Sequence, residues 1–293
     1  MDQPHPPDAP TAYPPASLPP VSVLAPTVQR VPLVFASPHS GRHYPEDFVA
    51  AARLDALSLR RSEDSFVDEL FAAAPDWGAP LIAANFPRAF CDPNREPWEL
   101  DPGMFADSLP PWVNTTSARV GAGLGTIAKV VASGEAIYRG KLNFAEAEGR
   151  IRRCWHPFHD ALRDAIEATV SRFGLCLLID CHSMPGTSMA PKVAADFVLG
   201  DAHGTACSPR IARQVERSLT GMGYTVRRND PYAGGYITRH YGRPREHVHT
   251  LQIEICRPLY MDETRIERLP RFDRLQADMT NLIATLARGL DLG

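Results

Sequence analysis

The chain has 293 residues, 44% of them hydrophobic and 22% charged, and a formal net charge of −3. Length and apolar content suit one large α/β domain better than two, and the small negative charge excludes any bulk electrostatic drive toward nucleic acid or an anionic membrane. The six cysteines form no Cys-x-x-Cys pair and no segment reads as a membrane span or a secretion signal, which predicts a soluble, cytoplasmic protein with reduced thiols.

Ten of the first 32 residues are proline, a composition that cannot fill a core, so residues 1–30 are expected to be a flexible tail ahead of one catalytic domain at 31–293. Val31 to Ala36 reads as a strand running into the loop Ser37-Pro-His-Ser-Gly41. Ser65 to Ala74 has helical spacing before Pro75, and Ala79 to Ala84 reads as a buried strand. From Asp92 to about Ser117 no period is visible; a loop that long is usually functional, and substrate contacts are expected there. Ala145 to Phe173 predicts a long helix stopped by Gly174, before the strand Leu175 to Asp180. Asp196 to Leu199 is a further strand, Ser208-Pro209 caps a helix over Ile211 to Leu219, Val248 to Cys256 is another strand, and Arg271 to Leu290 a closing helix. Strands alternating with helices predict a mostly parallel, mixed central sheet flanked by helices, with ligands gathered beyond the carboxyl ends of the strands.

His39 and His182 each follow a predicted strand and converge at that rim, which makes them the leading metal ligands. A catalytic zinc site commonly adds one carboxylate and leaves a position open; Asp64, at the start of the first predicted helix, is the choice, with Glu63 as the alternative. His156 and His159 share a helix face, but no carboxylate or cysteine completes a metal motif there, which favours packing or a supporting role. Glu254 alternates onto the face opposite Leu251, Ile253 and Ile255. It is either a buried general base or a structural carboxylate paired with Arg257 or Arg239. Arg88, Asn94, Arg95 and Arg239 lie in rim segments suited to a carboxylate-bearing substrate, and His240 is a further candidate contact.

Taken together, Ser37-Pro-His-Ser-Gly41, Asp92-Pro-Asn-Arg95, Asp180-Cys-His-Ser183, Asp196-Phe-Val-Leu-Gly200, Gly234-Gly-Tyr-Ile-Thr-Arg-His-Tyr-Gly242 and Gln252-Ile-Glu254 resemble, in order and spacing, the motifs of N-formylglutamate amidohydrolases. The resemblance covers about residues 31–290. It implies a zinc-exopeptidase-like fold and one divalent metal ion, most simply zinc, held by His39, Asp64 and His182. It further implies Glu254 as base, Arg88 polarising the scissile carbonyl, and Asn94, Arg95 and Arg239 on the substrate carboxylate. Related exopeptidases draw their carboxylate ligand from His-x-x-Glu, whereas Arg42 stands three residues after His39, so here the carboxylate comes from elsewhere. The implied activity is hydrolysis of an N-formyl or N-acyl amino acid, N-formyl-L-glutamate foremost, within amino-acid and specifically histidine degradation, by a monomer or small homo-oligomer. Iron, manganese or cobalt would also suit such ligands. The competing readings are a deacylase or exopeptidase acting on another N-acyl amino acid or small peptide, a Cys181 nucleophile, and a non-catalytic ligand-binding relative. The Cys181 reading is disfavoured because adjacent strand residues face opposite sides.

Overall fold

The structure is a computed structural model that describes residues 18–187 and 194–291. The strands of its main sheet in chain order are β1 (Val21–Leu24), β2 (Leu33–Ser37), β3 (Leu81–Ala84), β4 (Cys176–Met184), β5 (Phe197–Gly200), β6 (Val226–Arg228) and β7 (Val248–Cys256); a separate short antiparallel pair joins Met261–Asp262 to Glu267–Arg268. Among the described residues β1 to β7 form one seven-stranded sheet in the order β1-β3-β2-β4-β7-β5-β6. β3, β2, β4 and β7 run parallel at its centre. β1 pairs antiparallel with β3, and β5 with β7, which makes the sheet mixed. The helices are α1 (Glu46–Ala51), α2 (Ala56–Arg60), α3 (Val67–Leu70), α4 (Ala118–Gly121), α5 (Phe144–Arg150), α6 (His156–Phe173), α7 (Pro209–Gly221), α8 (Tyr236–Tyr241) and α9 (Phe272–Ala287). None is long and apolar enough to cross a membrane.

Period-two alternation sorts the central strands into two faces. Leu33, Phe35, Leu177, Ile179, Leu251 and Ile253 pack against the apolar stripes of α7 and α9. On the other face Val34, Ala36, Leu178 and Val248 pack against Phe158, Leu162 and Ile166 of α6. Towards the carboxyl ends this second face turns polar, with Asp180, His182, Gln252 and Glu254 all buried. Beyond the end of α6 the polar stretch is covered by α8 and by the segment between β3 and α5. That segment carries its own small core, including Leu100, Phe105, Val113, Ile127 and Leu142. The stretch expected to be an aperiodic loop is therefore ordered by hydrophobic contacts that no period in the sequence reveals.

Several boundaries differ from the sequence expectation. β1 lies inside the expected tail, where Val21 to Leu24 pair with Ala84 to Leu81; an edge strand tolerates flanking prolines because one side of its backbone needs no partner. Residues 1–17 of that tail lie outside the described residues. The helix expected over Ser65 to Ala74 shortens to α3, since Phe66 enters it in a left-handed conformation (φ 68°) and Pro75 follows within a 3-10 turn. β4 runs four residues beyond Asp180, so His182 sits inside the strand rather than past it; its polar residues face the site, which hides the strand from an apolar pattern. The long helix is split into α5 and α6 by a π-helical turn at Ile151–Trp155. β7 and the Ser208 cap of α7 fall where expected, the Ser208 hydroxyl accepting from the Arg210 amide at 3.3 Å.

Candidate active site

His39 leaves the end of β2, and its carbonyl accepts from the Asp64 amide at 3.0 Å, which ties the loop after β2 to the approach to α3. That single bond brings two parts of the rim together. Asp64 Oδ2 lies 3.4 Å from His39 Nδ1 and 3.1 Å from His182 Nδ1, and one ligand atom from each of the three residues fits within 4.8 Å of the others. The opposite ring nitrogens face carboxylates: His39 Nε2 donates to Asp92 Oδ1 at 2.7 Å, and His182 Nε2 to Asp180 Oδ1 at 2.8 Å. Asn94 Nδ2 also approaches His182 Nε2, at 3.2 Å. The shorter Asp180 contact decides the proton's place, because an ionised carboxylate only accepts.

With Nε2 donating to a carboxylate on both rings, both Nδ1 atoms are turned toward Asp64 Oδ2, where their lone pairs could meet a cation and where a proton on His182 Nδ1 would otherwise bridge the gap. His39 Nδ1 is buried with no hydrogen-bond partner. Two lone pairs and an anionic oxygen converging in a dry pocket call for a cation, and carboxylates behind the histidines orient the rings as in known metal sites. The protonation tendencies report the same demand. Burial disfavours an ionised His182, but Asp180 and Asp64 outweigh it and hold its pKa well above the imidazole range. Burial would likewise raise the Asp64 carboxyl, yet contacts from His182 and His39 keep it well below the ordinary range. The far oxygen of Asp64 is held by the Ser183 hydroxyl at 3.0 Å and by Arg257 at 3.1 Å, leaving Oδ2 free for the shared point.

Glu254 on β7 stands in parallel register beside His182 on β4. Its Oε1 accepts from Gln252 Nε2 at 2.9 Å, and Gln252 Oε1 in turn accepts from the Gly235 amide at 2.8 Å. Burial pushes the Glu254 carboxyl up to about 8, with His182 pulling against it and Asp64 adding to the rise. The residues open onto a cavity of about 500 Å³ that His39, Asp64, Arg88, His182, Arg239 and Glu254 help to line, a size suited to a small molecule. Arg88 donates to Asp92 Oδ2 at 2.7 Å. Arg95 is nearly buried and lowered to about 10, chiefly by burial, with Asp92 opposing and the Arg88 and Arg119 cations adding to the drop.

Residues 31–261 match the family model described as N-formylglutamate amidohydrolase. The chain belongs to the N-formylglutamate amidohydrolase family. The N-formylglutamate deformylase of Pseudomonas aeruginosa is 31% identical to it and that of Pseudomonas putida 29%, each over 80% of this chain and 84% of the relative. The solved N-formylglutamate amidohydrolase from Ralstonia eutropha JMP134 is 41% identical, with a TM-score of 0.88 over 92% of this chain and 98% of that one.

For this amidohydrolase the structure brings His39, Asp64, His182, Glu254, Arg88, Asn94, Arg95 and Arg239 to one cavity. Glu63 does not join them. Its carboxylate takes bonds from Arg60 at 3.0 Å, Tyr44 at 2.8 Å and Ser65 at 2.8 Å, since adjacent residues at a turn diverge. His240 is exposed, stacks on Tyr236, and lines an adjoining recess instead. Arg257 pairs with Asp64 rather than with Glu254. Cys181 points into the opposite, apolar core, where burial raises its thiol well above the ordinary range, which removes the physical basis for a nucleophile there. His159 is neutral, lowered to about 3 mainly by burial. It bonds the Pro93 carbonyl and the Tyr241 hydroxyl, both at 2.8 Å. Beside it Trp155 Nε1 donates to the Arg95 carbonyl at 3.0 Å, so this helix pins the 93–95 backbone. Asp92, Asp180, Ser183 and Gln252 take part without having been assigned roles from sequence, and Arg257 takes part in a role other than the one expected of it. The alternation Asp180-x-His182 and Gln252-x-Glu254 was a usable signal, as it places each pair on one strand face.

Proposed function

We propose that the chain hydrolyses the formyl amide of N-formyl-L-glutamate to formate and glutamate, with one divalent metal ion, zinc by preference, held by His39, Asp64 and His182. The observation that carries this reading is the convergence of His39 Nδ1, His182 Nδ1 and Asp64 Oδ2 on one point, with Glu254 in register beside them. Nitrogen and oxygen donors in this number suit zinc with an open position. The ion would act as a Lewis acid on the substrate carbonyl and acidify water.

The chain's own groups supply the rest. Water oxygen adds to the formyl carbon as Glu254 takes its proton; the carbon–nitrogen bond then breaks as Glu254 returns that proton to the departing nitrogen. A carboxyl raised to about 8 by burial is well matched to both transfers. Arg88, held by Asp92, offers positive charge to the oxyanion that develops on the carbonyl oxygen. Asn94 and Arg95 are suited to orient the α-carboxylate. The Asn94 side chain is itself fixed, its Oδ1 accepting from the Ile237 amide at 2.8 Å. The setting we propose is the cytoplasm and histidine degradation, in keeping with six unpaired cysteines and the relatives' named activity.

Elemental analysis of purified protein, together with a screen of N-formyl and N-acetyl amino acids, tests the reading. Stoichiometric metal and a preference for the formylated acidic substrate are expected; full activity after the metal is stripped would overturn it. Tight binding without turnover would favour a non-catalytic relative. Asp92→Asn is expected to weaken metal affinity by about 10–100-fold by loosening the orientation of His39, measured by competition with a chelating indicator.

A further inference from the structure

Five arginines line the cavity, and their commitments differ. Arg88 donates to Asp92 at 2.7 Å. Arg257 donates to Asp64 at 3.1 Å and Ser183 at 3.0 Å. Arg95 spends Nε on the Leu124 carbonyl at 2.8 Å and Nη1 on the Asn94 carbonyl at 2.7 Å. Arg119 and Arg239 also line the cavity, yet among the described residues neither guanidinium has a hydrogen bond, ion pair or ring contact. Both also line the adjoining recess, with Glu96 and Glu99 as its acidic groups. Those carboxylates are engaged elsewhere: Glu96 accepts from Asn114 at 3.2 Å, and Glu99 from the Glu96 amide at 3.1 Å.

Arg119 is delivered to this place by a fixed backbone. The Leu124 amide donates to the Arg119 carbonyl at 2.9 Å, while the Leu124 carbonyl receives Arg95. Two residues on, the Thr126 carbonyl accepts from the Asp92 amide at 2.7 Å. Gly125 packs so closely that a Cβ there would lie 2.2 Å from the Glu99 carbonyl oxygen. The segment carrying Arg119 is thus stitched to the loop that carries Asp92, Asn94 and Arg95. Arg239 arrives from the other side on α8, whose position is set by Asn94 and Gln252.

A glutamate-type substrate carries two carboxylates, and each needs a cationic partner to leave water. One lies next to the scissile amide, within reach of the groups around the metal ligands. We infer that Arg119, together with Arg239, binds the second, side-chain carboxylate of the substrate and so makes the enzyme selective for acidic N-acyl amino acids. The inference rests on the proposed reaction at this cavity. It assigns Arg119, which lies on α4 just beyond the aperiodic segment and belongs to none of the family motifs, a role in specificity.

The test compares wild-type protein, R119Q and R239Q on N-formylglutamate and on its side-chain amide N-formylglutamine, by turnover and by calorimetric binding. The wild-type preference for the acid is expected to fall about 10–100-fold in each variant, through KM rather than kcat. R119K, which keeps the charge without the planar fork, falls between. Equal losses on both ligands would overturn the assignment. If wild-type protein turns over neither ligand, the proposed reaction fails, but binding still decides the site. Preference for the acid that is lost in R119Q upholds it, and no preference in wild-type protein overturns it.

Discussion

Replacing Glu254 with glutamine lowers kcat by about 100- to 10,000-fold, the contribution of a positioned general acid and base, while metal content stays at the wild-type level. The side chain is nearly isosteric, and its carbonyl oxygen still accepts from Gln252 as Glu254 Oε1 does at 2.9 Å. Lost activity therefore reports lost proton transfer. The same substitution stabilises the metal-free protein at neutral pH. Burial raises the folded-state carboxyl from 4.5 to about 8, so the folded state binds more protons than the unfolded one between those values, and stability from this group falls as pH rises through that window. Glutamine removes the dependence. The wild-type minus variant difference in thermal midpoint, followed from pH 4 to 9 in a chelator, checks the sign. Full turnover in E254Q would remove Glu254 from the mechanism.

Asp64→Asn and Glu63→Gln are expected to fail in different ways, although the residues are neighbours. Asp64→Asn takes away the one carboxylate oxygen aimed at both imidazoles and the charge that Arg257 pairs with. Metal stoichiometry falls towards zero and activity with it. Glu63→Gln leaves the metal in place. Its carboxylate binds Arg60, Tyr44 and Ser65 in a buried pocket, so the loss appears as about 1–3 kcal/mol of stability, read from denaturant midpoints. Retained metal in D64N, or lost metal in E63Q, would reverse the ligand assignment.

The physical origin of that contrast lies in chain direction. Asp64 is drawn to the rim by its amide bond to the His39 carbonyl, and the preceding residue necessarily faces away. Local spacing cannot distinguish them, because the partners that settle the matter lie 25 residues or more along the chain in either direction: His39 before, His182 and Arg257 after. The same holds for Asp92, an ordinary loop carboxylate until the fold sets it behind His39, 53 residues earlier in the chain. Asp180, by contrast, reaches His182 through strand alternation alone.

What the sequence by itself determined follows from short-range rules. Period-two alternation placed Glu254 on the face opposite Leu251 and Ile253, the Ser208-Pro209 pair marked the start of α7, and the ordered motifs singled out His39, His182 and the family. Tertiary structure decided the rest. It extended β4 through His182, gave the proline-flanked Val21–Leu24 a place at the sheet edge, and ordered the 92–143 segment around a core with no periodic signature. Among the five arginines of the cavity it also separated Arg88, Arg95 and Arg257, which hold the protein's own groups, from Arg119 and Arg239, whose guanidiniums have no partner among the described residues. Burial, register and charge pairing are properties of distant residues brought together, and only the folded chain supplies them.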